Sequence, residues 1–140
     1  MITREAKLMA GIIILTVPSI AYGGTFLLSV LSGQFDMPLT DFQKSMFRAG
    51  HAHAGVLVIL SLVTLLFVDH TIYKERVRWM LRSGFPFAAI LISGGFFAAA
   101  IGNQLNQPNS MIWILWVGVA VFGISLVGLG LGLILSYKRH

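Results

Sequence analysis

The chain has 140 residues, 56% hydrophobic and 11% charged, with a formal net charge of +5 and a mean hydropathy of +0.84. A soluble domain carries about 25% charged residues, so a water-soluble globule is excluded, as is a disordered chain, which needs low hydrophobicity and high charge. The absence of cysteine removes disulfides, thiolate metal sites, iron–sulfur clusters and thiol nucleophiles.

No Asp, Glu, Lys or Arg occurs from Leu8 to Phe35, from Ala49 to Val68, or from Ser83 to Tyr137. A helix crosses a bilayer with about 20 apolar residues. The first stretch predicts a span over 8–31, kinked near Pro18 and Gly23-Gly24. Met1 to Ala21 also resembles a signal peptide, with Ser19-Ile20-Ala21 before Tyr22. The apolar run continues uncharged to Phe35, so it is read as a retained span.

Thr40-Asp41-Phe42-Gln43 fits a capping box with Thr40 as N-cap. The second helix is therefore placed at 40–68, about 40 Å long at 1.5 Å per residue, its first turns standing above the membrane. The third stretch is long enough for two spans, 84–102 and 111–136. They are parted by the polar, uncharged turn Asn103-Gln104-Leu105-Asn106-Gln107-Pro108-Asn109-Ser110. The prediction is an all-α integral membrane four-helix bundle forming a single domain. Gly94/Ala98/Gly102 and Gly128/Gly132 are small-residue stripes suited to close packing, within the bundle or between chains.

Arg4, Lys7, Lys74, Arg76, Arg78, Arg82, Lys138 and Arg139 fall on one side of this arrangement, and Lys44 and Arg48 on the other. Positive residues favour the cytoplasmic side, so both termini are placed in the cytoplasm and the chain in a cell membrane, the inner membrane of a bacterium. The basic charge is thus a topology signal, and no nucleic-acid partner is expected.

The spans hold no carboxylate, which argues against a proton pump or cation carrier. Their ionisable groups are Tyr22, His51 and His53. The bland reading gives each histidine a hydrogen bond to a neighbouring helix, to Tyr22 or to the Asn103–Asn109 turn. The functional reading starts from spacing. Residues i and i+2 lie about 200° apart on a helix, so His51 and His53 face opposite ways and cannot share one metal ion. Gly50, Ala52, Ala54 and Gly55 leave room for a large flat group, and neutral imidazole ligates iron, copper and zinc.

His51-Ala52-His53 at the outer end of a second membrane helix resembles subunit I of the haem-copper oxidases. In that family a His-x-His pair binds two haems on opposite helix faces, and the subunit is built from three four-helix arcs about a pseudo-threefold axis. The chain looks like one such arc. The resemblance implies haem b held by His51 and His53, with Arg48 one turn outward, where it would meet haem propionates or anchor at lipid headgroups. It does not imply oxygen reduction or proton pumping, because the adjacent His-His pair, the tyrosine of the copper centre and the proton-channel residues have no counterpart.

The function expected is a membrane haem-b protein for electron transfer, haem handling or gas sensing. The alternative is a non-haem protein, a copper- or zinc-handling or assembly factor that uses the pair for ion or protein binding. Whether the chain is an enzyme is left open. One chain cannot offer both histidines to one iron, so His51 of one copy and His53 of the next would share a haem in a ring. The resemblance selects a homotrimer. Trp113 and Trp116 are assigned to an interfacial belt, Met46 to packing, and His70 and His140 to the surface.

Overall fold

A computed structural model describes residues 2–138. Arg139 and His140 lie outside the described residues. Four helices account for the fold: α1 Arg4–Leu31, α2 Asp41–Val68, α3 Glu75–Ala99 and α4 Ile112–Tyr137. All four are long and apolar enough to cross a membrane.

Local chemistry explains the ends. The Thr3 hydroxyl caps α1 by accepting from the Ala6 amide. The capping box of α2 is complete: Thr40 accepts from Gln43 N, and Gln43 Oε1 accepts from Thr40 N. Gln43 also does what the motif alone does not foretell. It is buried, and its Nε2 donates to the carbonyls of Ala100 and Gly102, both at 2.9 Å. The Thr40 hydroxyl donates to the Leu105 carbonyl, and Gln104 donates to the Pro38 carbonyl at 2.7 Å. The first and third loops are thereby locked together. Asn109 finishes α3 by donating to the Ala98 and Ile101 carbonyls.

The third helix departs most from expectation. It begins at Glu75 rather than 84 and ends at Ala99 rather than 102. Hydropathy counts Arg76, Arg78 and Arg82 as loop, but nothing in Glu75–Ser83 opposes helix, and Glu75 suits a first turn. Arg82 is consequently not a surface charge. It is 1% exposed, donates to Glu75 and to Asp69, and stacks over Trp79 with 5.4 Å from its guanidinium carbon to the ring centroid. Asp69 in turn accepts from the Thr3 hydroxyl at 2.7 Å.

The helices lie in a row. α3 packs closely on α2 and α4, α1 leans chiefly on α2, and α1 and α4 do not approach each other among the described residues. The four-helix bundle is thus open rather than closed. The tightest crossing is α3 on α4, where a Cβ at Gly95 would strike the Leu115 backbone and one at Gly118 the Ile92 backbone. The expected stripes serve differently. Gly132 is filled by Tyr73 and Thr71 of the same chain, Gly94 meets nothing within 4 Å, and Gly102 has left the helix at φ 151°.

Burial pushes the Asp69 carboxyl up, but the Thr3 hydroxyl and the Arg82 guanidinium outweigh it and hold the group below its ordinary value of 3.8. A depressed folded-state value means that this stabilisation is present above the ordinary value and is lost as pH falls through the lower one. Arg82→Ala should cost about 2 kcal/mol by removing hydrogen bonds to a half-buried Asp69 and an exposed Glu75, read as equilibrium unfolding in mixed micelles at neutral pH. Wild-type stability should persist to pH 3.8 and decline only below it; Asp69→Asn should remove that acid limb.

Candidate functional site

His51 and His53 sit near the end of α2 that meets the locked loops. They face opposite flanks, as the spacing requires. His51 is half-buried and points at α1: a Cβ added to Gly24 would lie 2.8 Å from its Cε1 and 2.9 Å from its Nε2. The missing side chain of Gly24 is what admits the imidazole. No hydrogen bond reaches His51 among the described residues.

His53 is exposed and turns toward α3, its ring 4.9 Å from that of Phe96. Its Nδ1 lies 2.8 Å from the Ala49 carbonyl oxygen. A carbonyl only accepts, so Nδ1 carries the proton. In the neutral ring the lone pair is then on Nε2. This is the arrangement seen where a ligating imidazole is oriented by a carbonyl behind it.

The small residues divide between two uses. Gly50, expected to leave room for a flat group, does not: a Cβ there would come within 3.0 Å of the Phe97 ring and 3.1 Å of Phe96 Cβ. Ala52 is exposed, and Gly55 has nothing within 4 Å. Open surface therefore runs along the outer face of α2 between the two histidines, while the inner face is taken by α3.

Two apolar hollows flank His51. Toward the loops, Gly23, Leu27, Phe47 and Phe97 border about 330 Å³, with the two phenylalanine rings stacked at 5.5 Å. Toward the middle of the helices, Ser19, Ile20, Ala54 and Val58 help enclose about 280 Å³. Ser93 lines this second hollow, and its buried hydroxyl has no hydrogen-bond partner among the described residues.

The bland partners expected for the histidines do not reach them. Tyr22 is 74% exposed, Asn109 caps α3, and neither bonds an imidazole. Arg48 is exposed, and its Nε donates to the Lys44 carbonyl at 3.4 Å. Trp113 and Trp116 are exposed on α4, far along the row. Met46 is half-buried, and His70 is exposed beyond the other end of α2. Sequence reasoning missed the buried roles of Gln43, Arg82 and Ser93. Only the first carried a signal, the capping motif.

Each histidine offers one imidazole to its own flank, beside apolar hollows or open helix surface. Among the described residues no three His, Asp or Glu side chains gather as an ion site would require. Gly24→Ala should swing the His51 ring out of its notch at a cost below about 1.5 kcal/mol, the scale of a strained rotamer. The His51 imidazole resonances should shift while those of His53 stay, and Gly23→Ala, with open space around it, should move neither. The chain matches no protein-family model, no curated protein and no solved structure.

Proposed function

We propose that the chain is a multi-pass protein of the bacterial inner membrane, termini in the cytoplasm, that binds haem b through His51 and His53. It would serve electron transfer, haem handling or gas sensing. The observation that carries the reading is the His53 arrangement: an outward imidazole whose Nδ1 proton is fixed on the Ala49 carbonyl, leaving Nε2 to ligate. Support comes also from the opposed flanks of the pair, the open strip at Ala52 and Gly55, and the one-layer row of helices, which suits one arc of a larger ring.

Haem, when bound, would supply a one-electron iron couple. The protein residues have separate tasks. His53 presents a ligand to the outside of the chain. His51 presents one toward α1, and α1 must yield at Gly24 for that nitrogen to be reached. Pro18 and the sparse packing of α1 favour such a movement. Arg48, exposed one turn outward of His51, would pair with propionates. Because the two imidazoles diverge, we assign the sharing of each haem to His51 of one copy and His53 of the next, closed as a homotrimer.

An absorption spectrum of the detergent-purified protein is the test. A Soret band that shifts on dithionite is expected, and His51→Ala with His53→Ala should abolish it. Bands at full intensity in the double variant would exclude the pair as ligands. A colourless protein carrying copper or zinc would favour ion handling instead. Arg48→Ala should speed haem loss without ending ligation. Native mass spectrometry should give three chains; a monomer retaining bis-histidine haem would exclude shared ligation.

A further inference from the structure

A cleft runs along the side on which α1 and α3 flank α2. At the end of the row that holds both termini, Arg4, Glu5 and Leu8 face Trp79. Farther in, Ile12 and Thr16 of α1 face Pro86 and Ile90 of α3 across Ala54 and Val58. Arg4, Leu8, Ile12, Thr16 and Ile20 step by four along α1 and so share one helix face. Trp79, Pro86, Ile90 and Ser93 likewise share a face of α3. The two hollows lie in succession along these facing surfaces.

Apart from the Ser93 hydroxyl, unpartnered among the described residues, the inner stretch is apolar in effect. The hydroxyls of Thr16 and Ser19 donate back to the carbonyls of Ile13 at 2.7 Å and Thr16 at 2.6 Å. From Arg4 to Ile20, α1 rises about 24 Å at 1.5 Å per residue. One leaflet, headgroups included, is about 20–22 Å deep. Length and polarity therefore match a single lipid with its headgroup at Arg4.

Charge selects the kind of lipid. Among the described residues three side-chain carboxylates lie at this end, and Arg82 engages two of them, Asp69 and Glu75. Arg4, Lys7, Lys74 and Arg76 stand exposed there against the one remaining side-chain carboxylate among the described residues, Glu5. A surplus of cations beside an apolar cleft attracts an anionic headgroup. We propose that the cleft between α1 and α3 holds one anionic phospholipid, its phosphate at Arg4 and one acyl chain running past Ile12, Pro86 and Ile90 toward Ala54. The inference rests on the bilayer reading of the four helices and not on haem.

Native mass spectrometry of the delipidated full chain, titrated with dioleoyl phosphatidylglycerol, phosphatidylethanolamine or phosphatidylcholine, tests it. One phosphatidylglycerol per chain is expected, held at least about fivefold more tightly than either other lipid. Arg4→Ala should reduce that preference below about twofold, whereas Lys138→Ala, removing an equal charge away from the cleft, should leave at least about threefold. Ile90→Trp, at an exposed position that lines the cleft, should abolish the one-per-chain adduct for all three lipids. Equal binding of the three lipids, or a preference unchanged by Arg4→Ala, overturns the proposal. Because the chain lacks cysteine, Ile90→Cys is a clean cross-linking probe. Disulfide-linked pairs as its main product in phosphatidylglycerol vesicles would assign the cleft to a second copy and overturn it too. A chain that stays dispersed without detergent would overturn the bilayer reading itself, an outcome distinct from loss of lipid selectivity in a detergent-requiring protein.

Discussion

Three helix ends meet at one guanidinium. Arg82 reaches Asp69, just past the end of α2, and Glu75, in the first turn of α3, while Asp69 takes the hydroxyl of Thr3 at the head of α1. Removing such a charge from water is costly unless its partners are fixed. The fixed partners here are helix termini, so the cost is offset only when α1, α2 and α3 start and stop in register. The position of α2 relative to α1 follows from this, and with it the depth at which His51 meets Gly24.

A second constraint operates at the opposite end. Gln43 is both part of the α2 cap and a donor to the carbonyls released where α3 ends. Backbone groups near the apolar layer need such partners, because lipid offers none. The histidines lie two to three turns below this lock, on a stretch of α2 held by Phe96 and Phe97 on one side. Rigidity there would suit the proposed pair of ligands, whose directions must stay opposed.

Much of this was legible in the sequence. Long uncharged stretches gave four helices, and the capping motif placed the start of α2 within a residue. The divergence of His51 and His53 follows from helical pitch alone, and the contacts with Gly24 and Phe96 agree with it. The start of α3 was not legible, because hydropathy treats Arg82 as a loop charge, and the carboxylates that neutralise it lie 7 and 13 residues away in the chain. Nor could composition tell which glycines face a neighbour: Gly50 looks like free space until Phe97 is seen to fill it, and Gly95 rather than Gly94 admits α4. The notch at Gly24 depends on the rotation of α1 against α2, which no local pattern encodes.

The lock between the first and third loops bears on how copies of the chain associate. α1 has the least packing of the four helices and would be the natural element to trade between copies, a cheap route to entangled dimers. Both its ends are tethered within its own chain, by Thr3 to Asp69 and, through the loop that follows, by Pro38 to Gln104 and Thr40 to Leu105. Exchange would have to give up the Thr3 tether and open the short segment between Leu31 and Pro38, whose far end the loop lock holds, so cap and lock together oppose it and favour a His51 that stays opposite the Gly24 of its own chain.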